Sequence, residues 1–105
     1  MLHIIWEFRV RADRGREFEE HYGSAGTWVD FFRTGPGFLE TRLLRDGEDP
    51  SRYLTIDVWT DLESYRAFSE KNAAQYGAID RRFEALTEQE RCLGYFEALS
   101  REPAR

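Results

Sequence analysis

The chain has 105 residues and a formal net charge of −5 at pH 7, with 41% hydrophobic and 15% aromatic residues. This length predicts a single domain, and the aromatic content excludes a disordered chain. No apolar stretch approaches the ~20 residues of a transmembrane helix, and no basic region precedes the first apolar residues as in a secretion signal. We therefore expect a cytoplasmic protein with no membrane partner. The acidic balance and the lack of a concentrated basic face argue against a nucleic-acid partner.

The cysteine and histidine content argues against metal sites. Cys92 is the single cysteine, so the sequence predicts neither an intramolecular disulfide nor a cysteine-based metal cluster. The two histidines, His3 and His21, do not have the spacing of paired metal ligands. We predict no metal site and no cofactor.

The first half of the chain reads as a strand, two helical segments and a second strand. Alternation of apolar and polar residues predicts a strand over residues 2–11. Asp13 is the predicted cap of a helix that carries Phe18 and Tyr22, and a shorter helical segment follows, ending before the Gly-Pro-Gly sequence at 35–37. Strands predicted at about 38–45 and 52–59 form an antiparallel hairpin, because only a short turn joins them.

The second half reads as helix and then strand. A capping pattern at 60–63 opens a long or broken helix that extends to Leu86. A similar pattern at 87–90 predicts a short helical turn, and the last strand is expected at 93–99. The order βαββαβ predicts an α+β, ferredoxin-like fold with an antiparallel sheet. We assign residues 1–98 to one domain and 99–105 to a polar tail.

The helices are expected to cover one face of this sheet. Period-two alternation then divides each strand between the two faces. We expect the helices to cover Leu2, Ile4, Phe8, Leu39, Leu43, Leu54, Ile56 and Val58. We expect the opposite face to carry Ile5, Glu7, Arg9, Glu40, Arg42, Tyr53, Thr55, Asp57, Trp59, Tyr95 and Glu97. Large aromatics mixed with both signs of charge suit a surface closed by a second copy of the chain, so we predict a homodimer. The alternative is a solvated face with scattered aromatics.

These residues also carry a resemblance to a known family. The segments that carry it are Ile5-Trp6-Glu7-Phe8, Gly37-Phe38-Leu39 and Tyr53-Leu54-Thr55-Ile56-Asp57-Val58-Trp59, together with Tyr65 and Phe68. Over residues 1 to about 98 the chain resembles dimeric α+β barrel proteins of the antibiotic biosynthesis monooxygenase type. The resemblance implies a homodimer with a pocket in each subunit, between the sheet and the helices. Members of that family include cofactor-independent monooxygenases that act on aromatic polyketides or quinols.

The candidate site residues follow from the predicted strand faces and from the aromatic segments. Asp57 lies mid-strand, where Asp is unfavourable, and as a base it would take a proton from a phenolic or quinol hydroxyl. Arg9 and Arg42 would orient the substrate. Aromatic side chains that could stack on a flat ligand are Trp28, Phe32, Tyr53 and Trp59. In the structural alternative Asp57 pairs with Arg9 or Arg42 and only holds the barrel together.

The sequence is compatible with three functions. The first is a cofactor-independent monooxygenase that acts on a small aromatic or quinol-type substrate. The second is a non-catalytic dimer that binds a small ligand. The third is haem binding or degradation, for which the resemblance implies a His on the second helix and an Asn on the first strand. Residues 61–90 contain no His and the first strand contains no Asn, so this third function is disfavoured.

Overall fold

A computed structural model describes residues 1–99 and shows four strands and four α-helices in the order βααββααβ. The elements are β1 (Leu2–Val10), α1 (Gly15–Tyr22), α2 (Thr27–Phe32), β2 (Phe38–Arg45), β3 (Arg52–Trp59), α3 (Leu62–Lys71), α4 (Ala73–Phe83), a 3₁₀ turn (Glu84–Leu86) and β4 (Thr87–Glu97). All strand pairs are antiparallel and the strand order is β2-β3-β1-β4. The predicted α+β, ferredoxin-like fold is confirmed.

The helix starts agree only in part with the capping signals. Asp61 caps α3, because its Oδ1 accepts a hydrogen bond from the Ser64 backbone N–H at 2.7 Å. Asp13 does not cap α1, which begins at Gly15 with no side-chain cap. The long helical stretch after position 61 is two helices, separated at Asn72.

The fourth strand begins earlier than the sequence predicts. The stretch 87–90, expected to be a helical turn, is the start of β4 and pairs with the end of β1, where Thr87 faces Val10 and Glu90 faces Phe8. The capping pattern is a local signal, and pairing with the full length of a central strand overrides it. The short helical turn lies just before this point, at Glu84–Leu86.

Strand register reverses the predicted faces of β3. Residues directly opposite on neighbouring strands share a face, and β1 pairs Ile4 with Asp57 and Phe8 with Tyr53. Since Ile4 and Phe8 lie in the core, their partners lie there too. The helices therefore cover four residues predicted for the other face, Tyr53, Thr55, Asp57 and Trp59, all of them buried. Tyr95 pairs with Ile4 and therefore also lies on the helix-covered face, opposite to the prediction. Leu39, which was predicted to lie under the helices, is exposed.

The space between sheet and helices is filled largely by aromatic rings. Phe18 is fully buried and stacks on Tyr22 with ring centroids 4.1 Å apart. Trp59, also fully buried, lies 5.3 Å from both Phe38 and Phe68. Because these rings are large and stiff, cavities can remain between the sheet and the helices where neighbouring rings do not interlock.

The helix-free face of the sheet is the one opposite α1–α4. Register assigns to it the apolar residues Ile5, Leu44, Leu54, Ile56, Val58 and Phe96 and the charged residues Glu7, Arg9, Glu40, Arg42, Arg52 and Arg91. Glu7 binds two arginines there, at 2.7 Å from Arg52 Nε and 2.9 Å from Arg91 Nη2. The mixture of apolar and charged residues predicted for this face is present, and Ile5 lies there as predicted. Three of the apolar members, Leu54, Ile56 and Val58, come from the set expected under the helices.

The predicted division of the chain into a domain at 1–98 and a polar tail at 99–105 stays a prediction, since residues 100–105 lie outside the described residues. Within the described part, none of the helices has the length and apolar character needed to cross a membrane.

Candidate active site

A cavity of about 70 Å³ lies between the sheet and the helices. Its walls combine aromatic rings, two threonines and three carboxyl groups: Trp6, Phe8, Tyr22, Trp28, Phe32, Thr41, Thr55, Asp57, Tyr76, Asp80 and Glu90. No Lys or Arg is part of this lining. This volume has room for a few water molecules, so a ligand larger than that would have to displace side chains at the mouth of the cavity.

Asp57 is the acid in the interior of the cavity. The hairpin register places Thr41 directly opposite it, and Thr41 Oγ1 donates a hydrogen bond of 2.7 Å to Asp57 Oδ1. The carboxyl group is almost fully buried and no cation offsets its charge, so burial raises its pKa to about 6, against a smaller opposing effect of the Thr41 bond. A carboxyl group with this pKa changes protonation state near neutral pH, which general acid–base chemistry requires.

The aromatic wall opposite the sheet comes from three helices. Trp28 of α2 lies 5.2 Å from Tyr76 of α4 and 5.6 Å from Phe32, measured between ring centroids. Tyr22 of α1 completes this wall. The Tyr76 hydroxyl lies 3.2 Å from that of Tyr65, and burial raises the pKa of Tyr76 well above its ordinary value. The Tyr76 phenol therefore stays protonated and can donate or accept a hydrogen bond.

The Trp28 indole nitrogen has no hydrogen-bond partner among residues 1–99. The residue is only 8% exposed, and Nε1 itself is buried. Buried N–H groups without an acceptor are rare and unfavourable, by about 1–3 kcal/mol. Trp28 nevertheless acts on the neighbouring Tyr22 hydroxyl, because hydrogen bonding from the indole opposes the rise in the pKa of Tyr22 that burial causes. Trp59 Nε1, which lies outside the cavity lining, is also buried without a partner among the described residues.

Two acids, Asp80 and Glu90, stand at the exposed mouth of the cavity. Burial raises the pKa of both side chains. The charge of Glu84 raises both pKa values further, and the charge of Asp80 also raises that of Glu90. Neither forms an ion pair among the described residues. The charge of Arg81 opposes the rise in the pKa of Asp80. On its other side Glu90 borders a second cavity that Arg9, Arg52 and Arg91 also line.

The sequence-predicted site residues fall into three groups. Asp57, Trp28 and Phe32 meet at the cavity. Tyr53 and Trp59 lie on the same side of the sheet but outside this lining, where the Tyr53 hydroxyl donates to Glu19 Oε2 at 2.5 Å and Trp59 packs in the core.

Arg9 and Arg42 belong to the third group, on the helix-free face. Register pairs Arg42 with Ile56, and Arg9 forms an ion pair of 3.0 Å with Asp49. Neither the expected orienting role beside Asp57 nor the alternative ion pair with Asp57 fits this position, because the sheet separates the groups. Both predictions were wrong for one reason, the reversed face of β3.

Sequence reasoning missed several lining residues, among them Thr41, Thr55, Asp80 and Glu90. Thr41 could have been found from the hairpin, since correct register of the turn places it opposite Asp57. The acids of the mouth come from α4 and β4, which only tertiary packing brings together.

Neither histidine lines the cavity. His3 lies on the helix-free face, and His21 stacks on Phe83 at 4.3 Å with Nδ1 2.8 Å from Thr27 Oγ1. Among residues 1–99, no three His, Cys, Asp or Glu side chains are close enough together to hold a metal ion.

Solved structures with the same architecture include oxygenases and a haem degrader. SnoaB, a cofactor-independent oxygenase from Streptomyces nogalater, superimposes in a mutant form with a TM-score of 0.72 at 26% identity, over 98% of this chain and 97% of that chain. A protein from Deinococcus radiodurans described as an antibiotic biosynthesis monooxygenase gives a TM-score of 0.74 at 15% identity, over 100% and 99%. The haem degrader MhuD from Mycobacterium tuberculosis gives 0.69 at 22% identity, over 98% and 100%. The last two likenesses show the fold alone.

Sequence comparison agrees with this architecture. No curated protein matches the sequence. The family model for antibiotic biosynthesis monooxygenase matches residues 1–78, which is well over half of the chain. The chain therefore belongs to the antibiotic biosynthesis monooxygenase family.

Proposed function

We propose that this protein is a cofactor-independent monooxygenase that acts on a small aromatic or quinol-type substrate and works as a homodimer. The observation that carries the proposal is Asp57, a buried carboxyl group without a cationic partner that faces an aromatic-lined cavity and has a pKa of about 6. The likeness to the cofactor-independent oxygenase SnoaB supports the same reaction class.

The proposed chemistry begins with Asp57 in its carboxylate form. It takes the proton of a phenolic hydroxyl, and the resulting phenolate carries electron density at its para carbon. That carbon reacts with dioxygen to a peroxide, which loses water to leave a quinone. One oxygen atom enters the product and the other leaves as water, so the substrate itself supplies all the electrons. The bond from Thr41 would hold the carboxylate in place during the proton transfer.

The other cavity residues would bind and shield the substrate. Trp28 and Phe32 offer ring faces for stacking, and the tyrosines stay neutral in the working pH range because burial raises the pKa of each. A dry aromatic wall would also keep bulk water away from a peroxide.

The homodimer proposal now depends on residues other than those first predicted. Tyr53 and Trp59 are buried within the subunit, so they need no second copy to cover them. The helix-free face instead exposes part of Leu44 and Phe96, beside charges of both signs that can pair across a two-fold axis. Interfaces of permanent dimers usually bury over ~2,000 Å² in total, which a four-stranded sheet face can provide.

Oxygen consumption tests the catalytic proposal. The protein, without added flavin or metal, is mixed with a panel of quinols and polyphenols in an oxygen-electrode cell, and products are identified after ¹⁸O₂ labelling. We expect oxygen uptake with one labelled atom in the product. Asp57→Asn should lower the rate at least tenfold, whereas Asp13→Asn, a change to an exposed acid outside the cavity, should not. An unchanged rate in Asp57→Asn would remove this residue from the mechanism.

Two other functions would give different results in these experiments. A non-catalytic binding module would bind aromatic ligands in the cavity without oxygen uptake. Haem handling is raised by the likeness to MhuD, but neither His3 nor His21 lines the cavity. A stoichiometric Soret shift on titration with haemin would nevertheless favour it.

A further inference from the structure

The cavity between the sheet and the helices is too small for the substrate that the proposed function requires. Its volume is about 70 Å³, whereas a single aromatic ring needs a cavity of about 150 Å³. Part of the wall must therefore move before an aromatic ligand enters. The strands of the wall are held by backbone pairing with their neighbours along their length, so the movable part belongs to the helices.

Among the aromatic rings that the helices contribute to the cavity, the ring of Tyr76 is the least buried. Tyr22 of α1 and Trp28 and Phe32 of α2 are all buried, whereas Tyr76 of α4 is half-buried. Its ring centroid lies 5.2 Å from that of Trp28 and 6.0 Å from that of Phe32. Withdrawing the Tyr76 ring would widen the cavity without disturbing the packed rings of α1 and α2.

The two halves of α4 are anchored differently. The second half carries the buried residues Ile79 and Phe83, and the Phe83 ring stacks on His21 of α1 with ring centroids 4.3 Å apart. In the first turn, residues 73–75 are exposed, and Tyr76 supplies the packing against other elements. The first turn is therefore held much less firmly than the rest of the helix.

The sequence at the start of α4 also favours local opening. Asn72, at the N-cap position, does not cap the helix, because its Nδ2 donates instead to the Phe68 carbonyl oxygen of α3 at 3.0 Å. Gly77 follows one residue after Tyr76, and glycine inside a helix is less favourable than any other residue except proline. It lies between the first turn and the anchored half of α4.

A single polar contact fastens Tyr76 to another helix. Its hydroxyl lies 3.2 Å from the Tyr65 hydroxyl of α3. Within residues 1–99, no ion pair and no other side-chain hydrogen bond joins α4 to another element. A flat ligand that replaced the Tyr76 ring could stack on Trp28 and Phe32, which would restore much of the packing that opening removes.

We propose that residues 73–77 form a gate, in which the first turn of α4 loosens about Gly77, withdraws the Tyr76 ring and lets one aromatic ring of the ligand take its place. This inference rests on the proposed function in taking the cavity as the ligand site. It does not depend on the oxygen chemistry, so it is tested without turnover.

Gly77→Ala tests whether the first turn must loosen. The added Cβ would meet only the flexible end of Arg81, with Nη1 at 3.3 Å, so the folded helix accommodates it. Because alanine favours the helix, the open population should fall about fivefold. Gly47→Ala is the matched control, since Gly47 lies in an exposed turn without a positive φ and no atom lies within 4 Å of its added Cβ.

Amide hydrogen exchange of the intact protein measures the opening directly. The amides of Gly77 and Ala78 donate to the first turn of α4, whereas those of Arg82 and Phe83 lie in its anchored half. In the parent protein we expect the first pair to exchange faster than the second. Gly77→Ala should slow exchange of the first pair about fivefold, and Gly47→Ala should change it by less than about twofold.

Ligand entry is measured with 4-nitrophenol in the absence of oxygen. Stopped-flow quenching of tryptophan fluorescence reports binding, because Trp6 and Trp28 line the cavity. If opening precedes binding, the apparent association rate constant is proportional to the open population. Gly77→Ala should therefore lower this constant about fivefold and leave the dissociation rate constant unchanged, while Gly47→Ala alters neither.

Tyr65→Phe tests the same gate in the opposite direction. The substitution keeps the ring and removes the hydroxyl contact with Tyr76, so both first-turn exchange and association should become about threefold faster. Tyr53→Phe is its control, because it removes a hydroxyl bond to Glu19 of α1, away from α4. This control should leave both rates within about twofold of the parent values.

The outcomes separate the gate from the proposed function. Association that is unchanged in Gly77→Ala, or slowed equally in Gly47→Ala, overturns the gate, and oxygen uptake then still decides the oxygenase proposal. Slower association in Gly77→Ala alone supports the gate even if the protein consumes no oxygen with any phenol, in which case only the oxygenase proposal fails. No binding of 4-nitrophenol at millimolar concentration contradicts both, since both require an aromatic ring to enter.

Discussion

Replacing Asp57 by Asn should make the protein more stable at neutral pH. Burial raises the pKa of Asp57 from 3.8 to about 6, so the folded protein holds this proton to a higher pH than the unfolded chain. Between pH 4 and 6 the unfolded state ionises first, and the free energy of unfolding falls as the pH rises. Above pH 6 the folded state carries a buried carboxylate whose unfavourable effect no longer changes with pH.

The size of the effect follows from the two pKa values. A difference of about two pH units corresponds to about 3 kcal/mol at 1.36 kcal/mol per unit. An Asn side chain resembles the protonated carboxyl group and can still accept the bond from Thr41, so the variant lacks the ionisation but keeps the packing. We expect the two proteins to differ by less than about 1 kcal/mol near pH 4, and Asp57→Asn to be more stable by about 3 kcal/mol at pH 8.

Urea unfolding from pH 4 to pH 8, followed by circular dichroism, measures this difference. Protomer concentration is fixed throughout, because self-association would add a concentration-dependent contribution. Other carboxyl groups titrate in the same range, so only the difference between the variant and the parent is interpreted. Asp13→Asn, at an exposed position, should give a difference that does not depend on pH. If the Asp57→Asn and parent stabilities remain parallel from pH 4 to 8, the carboxyl group is not buried as described.

The remaining predictions address the core, a turn, an ion-pair group and the helix-free face. Phe18→Ala should lower the free energy of unfolding by about 3–5 kcal/mol in urea titrations, because this ring is fully buried among other rings. Gly37→Ala should cost about 1–3 kcal/mol, since φ is +97° and a Cβ would lie 2.8 Å from Ser64 Cβ; unchanged stability would contradict that backbone conformation. Arginine bonds lower the pKa of Glu7, so Glu7→Gln should reduce the melting temperature at pH 7, with a difference that shrinks toward pH 3 and in high salt; a loss independent of pH would exclude an ion-pair effect. Ile56→Glu should convert a dimer to a folded monomer in sedimentation velocity, and a parent that already sediments as a monomer would refute the proposed dimer.

The order of elements and the fold class could be predicted from the sequence. The alternation in β1 and the hairpin at 38–59 are strong local signals, and the structure places strands there within a residue or so. The capping pattern at 87–90 gave a wrong prediction of a helical turn, because strand pairing competes with this local signal. From Thr87 onward, β4 pairs with β1. The sequence also marks Trp28 and Phe32 as candidates for ligand contact, and both line the cavity.

The faces of β3 could not be decided in that way. Its alternation separates Leu54 and Ile56 from Tyr53 and Asp57, and either set can face a core when the opposite face of the sheet is partly apolar as well. Sequence alone therefore established that β3 has two different faces. Pairing with β1, which puts Ile4 opposite Asp57, decided which face the helices cover. That register buries the carboxyl group of Asp57 in an aromatic cavity and leaves Arg9 and Arg42 on the other side of the sheet, because a strand cannot turn one side chain over without turning them all.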